Sequence, residues 1–101
     1  MAVLKITTEN FEKEVLNSKK PVLLDFYADW CGPCQMMAPA IEEISNERED
    51  IVVGKINVDN EPKLAQMFQV MSIPMFAVVK EGKLTNTSVG YRPKDEILGL
   101  L

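Results

Sequence analysis

The sequence predicts an α/β fold in which a central mixed β-sheet carries helices on both of its faces. Apolar runs typical of buried strands alternate with segments whose apolar residues recur at helical spacing. Near the C-terminus, two strand-like segments follow each other across a glycine-containing connection, Glu81–Lys83, which is typical of an antiparallel hairpin. Early alternation and a late hairpin together give the element order βαβαβαββα.

Five strands are expected. The segment PVLLDFYA is a compact apolar run, as in a central strand buried on both faces, and only Asp25 interrupts it. The hairpin strands flank the glycine-containing connection. The predicted strands are Val3–Ile6, Pro21–Ala28, Ile51–Val58, Met75–Lys80 and Leu84–Gly90.

Four helices are expected between or after these strands. Pro39 lies inside the second helix, where a proline predicts a kink. The first helix is predicted to have Thr7 or Thr8 as its N-cap and to end near Ser18, and the second to run from the cysteines to about Glu47. The third is a short segment that begins at Pro62, and the fourth covers Pro93–Leu101. Their buried faces are assigned to Phe11, Val15 and Leu16; to Met36, Met37, Ala40, Ile41 and Ile44; to Leu64, Ala65 and Phe68; and to Ile97, Leu98 and Leu101.

Length and composition limit the function classes. A chain of 101 residues fits one domain, spanning 1–101, and 47% hydrophobic with 26% charged residues is typical of a globular protein. The net charge of −4 and the lack of a basic stripe argue against a nucleic-acid partner. No apolar run approaches the ~20 residues of a membrane span. The N-terminal MAVLKITT does not resemble a secretory signal, so we expect a cytoplasmic protein without a membrane partner.

The segment DWCGPC contains both cysteines and the only tryptophan. Two cysteines are too few for a secreted disulfide framework, and so short a loop would constrain the unfolded chain only slightly. A closed zinc site prefers four Cys or His ligands, but the chain has two Cys and no His, so we expect no metal within the chain. A zinc site shared between two subunits remains an alternative, but no feature of the sequence supports it. The lack of histidine also removes a Cys–His nucleophile, whereas thiol–disulfide exchange needs only two sulfurs.

The spacing of the two cysteines suits such exchange. Cys31 is expected in the turn after a strand, with Cys34 one helical turn further on. If Gly32 and Pro33 open the helix, its unpaired N–H groups and positive dipole end stabilise a Cys31 thiolate. That thiolate attacks a partner disulfide, and the second thiol then releases the reduced partner. We therefore expect an accessible Cys31 and a sheltered Cys34.

The segments FYADWCGPCQMMAP, VDNEP, SIPM and VGYRP resemble the thioredoxin family in order and spacing, over essentially the whole chain. The resemblance implies the thioredoxin fold and a protein-disulfide reductase without a cofactor of its own, because the Cys31–Cys34 pair is the redox group. It implies a monomer that receives electrons from NADPH only indirectly, through a thioredoxin reductase, and that reduces disulfide-containing proteins. Cys31 would be the nucleophile, Cys34 the resolving thiol, and Trp30, Gly32 and Pro33 the rest of the active-site loop.

Further site residues also follow from the resemblance. Trp30 would cover the site and contact substrate. Ile73 and Pro74 would form a cis peptide bond that faces the cysteines and presents the Ile73 backbone to an extended substrate segment, and Gly90 would leave room for that segment. For Pro74 alone, an ordinary turn before a strand is the simpler interpretation.

The methionines divide into two groups. Met71 and Met75 flank Pro74, and we hypothesise that they form an adaptable apolar rim for partner proteins. Met36 and Met67 are assigned to filling gaps in the core.

Asp25 is the second residue of chemical interest. A carboxylate inside an apolar strand must be paired or have a raised pKa. Taken alone, a structural hydrogen-bonded carboxylate is the simpler interpretation. The resemblance implies that Asp25 lies beneath Cys34 and moves its proton, directly or through a water, with Lys55 as a modulating charge. A strand lysine also commonly extends to solvent.

Some positions depart from the common family pattern. Gln35 stands where lysine is frequent, which removes a positive charge near the site, and Met75 stands where threonine is frequent. Two other functions stay open: a disulfide donor or isomerase, and a binding module whose cysteines are incidental. The proline of CGPC favours a reductant over a donor.

Overall fold

The computed structural model describes residues 3–101. Five strands form one sheet: β1 (Leu4–Lys5), β2 (Val22–Tyr27), β3 (Val52–Asn57), β4 (Met75–Lys80) and β5 (Lys83–Val89). Their order across the sheet is β1-β3-β2-β4-β5. The β1–β3 and β3–β2 pairs are parallel, whereas the β2–β4 and β4–β5 pairs are antiparallel. The predicted mixed sheet and late hairpin are confirmed.

Helical segments connect and follow the strands as predicted. They are a π-helical turn over Glu12–Leu16 and the helices α1 (Gly32–Glu47), α2 (Pro62–Met67) and α3 (Lys94–Leu98). Pro39 lies within α1, which continues past it. The element order βαβαβαββα is confirmed, with most elements a few residues shorter than predicted.

The first helical segment differs from its prediction. It begins after Phe11 with no side-chain cap, and neither Thr7 nor Thr8 caps it. The Thr7 hydroxyl instead accepts the Glu9 backbone N–H at 3.2 Å. Threonine hydroxyls readily form such local turns, which compete with helix capping. The helical turn therefore starts later than the sequence suggests.

The central strand β2 is buried on both faces, as predicted. Successive side chains of a strand point to opposite faces, so β2 contributes to two separate clusters. Leu24 and Phe26 belong to one cluster, and Leu23 to the other. The first also contains Phe11, Val15, Ile56 and Leu64, and the second Met37, Ile41, Ile44, Phe76 and Ile97.

Three predicted core residues lie at the surface. Met36 is exposed on α1, because Met37 takes the inward position next to it, and consecutive helical residues point about 100° apart. Leu16 is exposed beside the buried Val15, and Met67 is exposed at the end of α2. The assignments of Met36 and Met67 to core gaps are wrong.

Gly54 allows β1 to approach the rest of the sheet. It lies in β3, paired with Leu4 on one side and Leu24 on the other. A Cβ atom at this position would lie 2.6 Å from Ile6 Cγ1 and 3.3 Å from Leu24 Cδ2. Both neighbours are buried in the core, so neither side chain can move without disturbing its packing.

We expect Gly54→Ala to lower the free energy of unfolding by about 1–3 kcal/mol, because the added methyl overpacks the interior. Urea unfolding followed by far-UV circular dichroism measures this change. Gly32→Ala is the control, since in the described part of the chain nothing outside the adjoining residues and its own helix backbone lies within 4 Å of the added Cβ. Equal losses in the two variants would contradict the overpacking explanation.

Candidate active site

The cysteine loop joins the central strand directly to α1. Cys31 is the N-cap residue of α1 in an extended conformation, and its Sγ accepts the backbone N–H of Cys34 at 3.2 Å. Gly32 and Pro33 form the first helical positions, as predicted. An N-cap side chain normally accepts a hydrogen bond from one of the unpaired N–H groups of a helix, and here the Cys31 sulfur is that acceptor. The helix N-terminus therefore stabilises negative charge on the Cys31 sulfur.

The two cysteines form a disulfide, with their Cα atoms 5.3 Å apart. Each residue is only 4% exposed, because the pair forms a small cluster with Ala28 against which Tyr27 and Ile73 pack. The predicted difference in exposure between Cys31 and Cys34 is wrong for this oxidised form. The two differ instead in their surroundings, since Cys34 borders a cavity that Asp25 also lines.

The loop before β4 faces the disulfide. The Ile73–Pro74 peptide bond is cis, and the Ile73 side chain packs against the cysteine cluster. The carbonyl of Pro74 accepts the backbone N–H of Gly90 at 2.7 Å. Gly90 has a φ of 91°, and among residues 3–101, apart from the two adjoining residues, no atom lies within 4 Å of the position that a Cβ would take. The surface beside Pro74 is therefore open.

An apolar groove begins at Trp30. This side chain is 72% exposed, and its Nε1–H donates to Asp59 Oδ2 at 2.8 Å, which fixes the indole beside the disulfide loop. Met71 is 92% exposed. The groove has a volume of about 350 Å³ and is lined by Trp30, Val58, Ala65, Val70, Met71, Ser72 and Ile73.

Met75 does not belong to this surface. It is 5% exposed and packs in the core cluster opposite Phe26, its partner in the β2–β4 register. The hypothesis that Met75 forms an exposed rim with Met71 is wrong. Met75 is the first residue of β4, which is buried on both faces, so its side chain enters the core whichever face it points to.

Asp25 is a buried carboxylate in β2. Its Oδ1 atom is buried and has no hydrogen-bond partner among the described residues. Burial raises the pKa of Asp25 from 3.8 to about 7, and the positive charge of Lys55 opposes that rise. Lys55 is its neighbour in the β2–β3 register and is exposed, with its Nζ 5.9 Å from the centre of the Tyr27 ring. Within residues 3–101, no ion pair joins Lys55 to Asp25.

A cavity brings this carboxylate and the second cysteine together. Its volume is about 320 Å³, and its lining residues are Asp25, Tyr27, Ala28, Asp29, Cys34, Gln35, Ala38 and Lys55. The cavity exceeds by far the ~10–15 Å³ that one water molecule requires. Asp25 and Cys34 therefore border one space that is large enough to hold water.

Sequence reasoning missed two residues that hold the loop. Asp59 anchors Trp30, and the Gln35 side chain donates its Nε2–H to the Asp29 carbonyl at 2.7 Å. From the sequence, Gln35 is notable only because it replaces a frequent lysine and so removes a positive charge. Asp59 and Trp30 lie far apart in the chain, and no local pattern predicts their pairing.

This arrangement defines a class of protein. A sulfur at a helix N-terminus ionises readily, and a second sulfur one turn away can attack the first to complete thiol–disulfide exchange. Among residues 3–101, no cluster of three or more Cys, Asp or Glu side chains is arranged to hold a metal ion. The fold and the site are those of a dithiol–disulfide oxidoreductase.

Comparison with known proteins supports this assignment to the dithiol–disulfide oxidoreductases. Residues 2–101 match the family model described as thioredoxin. A thioredoxin from Mycobacterium tuberculosis strain H37Rv is 47% identical over 98 residues, covering 96% of this chain and 84% of that protein. Thioredoxins from Streptomyces clavuligerus and Acidithiobacillus ferridurans are 45% and 43% identical, covering 95% and 99% of this chain and 91% and 94% of the relatives. The chain belongs to the thioredoxin family, and it exchanges disulfides through Cys31 and Cys34.

In the part of the chain that the structure covers, residues 3–101, no helix is long and apolar enough to cross a bilayer.

The raised pKa of Asp25 predicts how stability depends on pH. The folded protein holds this proton up to about pH 7, whereas the unfolded chain loses it near 3.8, so stability falls as pH rises between these values. Since one pKa unit is worth about 1.4 kcal/mol, the total loss is about 4 kcal/mol. Asp25→Asn removes the titration, so its stability relative to wild type should rise by that amount between pH 4 and pH 8.

Urea unfolding of the oxidised protein at several pH values measures the difference. Asp95→Asn, which removes an exposed carboxylate on α3, serves as the control. A difference between Asp25→Asn and wild type that stays constant with pH would contradict the assigned ionisation.

Proposed function

We propose that the protein is a general reductant of protein disulfides in the cytoplasm. It acts as a monomer and is reduced in turn by a thioredoxin reductase, a flavoprotein that takes electrons from NADPH. Membership of the thioredoxin family implies a reductase and disulfide substrates as partner classes. The observation that carries the proposal is the Cys31 sulfur at the N-terminus of α1, one helical turn from Cys34.

Reduction proceeds in two exchange steps. The Cys31 thiolate attacks one sulfur of the partner disulfide, which breaks that bond, joins Cys31 to the partner and releases the other partner sulfur as a thiolate. Cys34 then loses its proton and attacks Cys31 Sγ. The mixed disulfide breaks, its electron pair leaves with the second partner sulfur, and the Cys31–Cys34 disulfide forms. Two electrons have passed to the partner, and its thiolates take protons from solvent.

Asp25 serves as the base for Cys34. Both residues line one cavity, and a carboxylate with a pKa of about 7 accepts a proton efficiently near neutral pH. Lys55 modulates this base, because its positive charge favours the ionised carboxylate. Removing the Lys55 charge would therefore raise the pKa of Asp25 further.

The groove beside the disulfide binds the partner. Its apolar lining suits side chains on either side of the partner's cysteine, while the Ile73 backbone next to Pro74 pairs with an extended segment of partner backbone. Open space at Gly90 admits that segment. Recognition through backbone and adaptable apolar surface accepts many sequences, as a general reductant requires. Trp30 and Met71 are the exposed large apolar side chains of this groove.

We expect Cys31→Ser to reduce insulin-disulfide reduction to the background rate in a dithiothreitol-coupled turbidity assay, because no mixed disulfide can form. Cys34→Ser retains the attacking sulfur but cannot resolve the intermediate, so a covalent complex with the partner should accumulate and be visible by mass spectrometry. A Cys31→Ser variant as active as wild type would refute the proposed function. Equal trapping by both variants would refute the assigned roles.

Met71→Ala should lower kcat/KM for insulin several-fold, because about 1 kcal/mol of apolar contact with the partner is lost. The rate with a small aromatic disulfide should stay unchanged, since such a substrate does not extend along the groove. Met67→Ala is the matched control, being an exposed methionine that lines a different cavity. Equal losses on both substrates would contradict a docking role for Met71.

A further inference from the structure

Asp25 borders a second cavity, and Cys34 is not among the residues that line it. This cavity has a volume of about 70 Å³ and is lined by Val3, Asp25, Ala38, Ile41, Glu42 and Lys55. Asp25, Ala38 and Lys55 also line the larger cavity beside Cys34. Asp25 therefore borders two openings, a front opening lined by Cys34 and a rear opening lined by Glu42.

The rear opening has the size and polarity to hold water. A volume of about 70 Å³ exceeds the ~10–15 Å³ required by one water molecule, which also needs two to four polar partners. Asp25 offers a carboxylate at the buried end, and its Oδ1 has no partner among the described residues. Glu42 and Lys55 are exposed and offer charged groups at the outer end.

The two openings differ in whether a bound partner covers them. Transient redox encounters bury less than about 1,200 Å² in total, or a patch of about 14 Å radius on each protein. Centred on Cys31, such a patch covers the front opening, which Cys34 and Gln35 line. Glu42 lies ten residues beyond Gly32 in α1, about 15 Å along the helix axis, at the edge of the patch.

We propose that, while a partner protein is joined to Cys31, Asp25 exchanges its proton with solvent through the rear opening, with Glu42 as a positioning residue whose polar group keeps water at its mouth. The inference rests on the proposed role of Asp25 as the base for Cys34. The proton on the Asp25 carboxyl passes to water in the rear cavity and then to solvent, and the carboxylate that remains accepts the proton of Cys34. Besides Glu42, the titratable groups around this space are Cys34 on α1, Lys55 on β3, and Tyr27 and Asp29 near the end of β2.

The exchange matters because forming the mixed disulfide does not itself deprotonate Asp25. With a pKa of about 7, about half of the molecules enter the covalent complex near neutral pH with Asp25 protonated. Those molecules have no base for Cys34 until the proton leaves. A blocked rear opening therefore delays only that fraction, and only when the partner also covers the front opening.

Glu42→Leu tests the inference, because it replaces the polar group at the mouth with an apolar one. Glu42→Gln keeps a hydrogen-bonding group, and Glu96→Leu alters an exposed helical glutamate that lines neither cavity. Reduced protein is mixed with insulin or with glutathione disulfide at pH 7 and pH 9. Acid quenching and mass spectrometry follow the decay of the mixed disulfide.

With insulin at pH 7, Glu42→Leu should show a slow phase of about half the amplitude, decaying several-fold more slowly than in wild type. The slow phase should vanish at pH 9, where Asp25 is ionised, and should be absent with glutathione disulfide. Glu42→Gln and Glu96→Leu should behave as wild type. Val3→Leu, which fills the same cavity from the β1 side, should reproduce the slow phase.

The lack of a slow phase in both Glu42→Leu and Val3→Leu would overturn the inference, as would equal slowing on both disulfides. Asp25→Asn separates this failure from failure of the proposed base. If it slows decay with both disulfides while the cavity variants change nothing, Asp25 is the base but its proton leaves elsewhere. If Asp25→Asn also changes nothing, the base role itself is wrong.

Discussion

The N-terminus of α1, directly after the central strand, is the constraint on which the site depends. The loop from Tyr27 to Gly32 is short, so the first free N–H groups of the helix meet the side chain that ends the loop. That side chain is Cys31, whose sulfur accepts the Cys34 N–H. The same helical turn that provides the positive end of the dipole also carries the second sulfur, which makes ionisation and resolution consequences of one local geometry.

The central strand combines structural and chemical roles. β2 is held between β3 and β4 and is buried on both faces, which fixes the position of its side chains. Asp25 occupies one of these buried positions, where desolvation raises its pKa at a cost in stability. Lys55 on the neighbouring strand limits the rise without forming an ion pair. The carboxylate thus changes protonation near neutral pH, which suits proton transfer to and from a thiol.

Strong local patterns allowed most of the fold to be predicted. The run PVLLDFYA lacks alternation because both faces of β2 are covered, and the hairpin follows from a glycine connection between two strand-like segments. Predictions failed where two local arrangements compete. Met37 faces inward in place of Met36, and Thr7 forms a local turn in place of a helix cap. In both cases the outcome depends on the packing and hydrogen bonds of the folded chain, and a single sequence does not show which arrangement is more stable.

The sequence by itself determined the redox pair, its one-turn spacing and the lack of histidine, because these are properties of composition and local order. Only the tertiary structure decided that Met75 belongs to the core, that Asp59 holds Trp30, and that both cysteines of the disulfide are equally shielded. It also gave Asp25 two adjoining cavities. Burial and cavities arise between segments distant in the chain, so no local pattern encodes them.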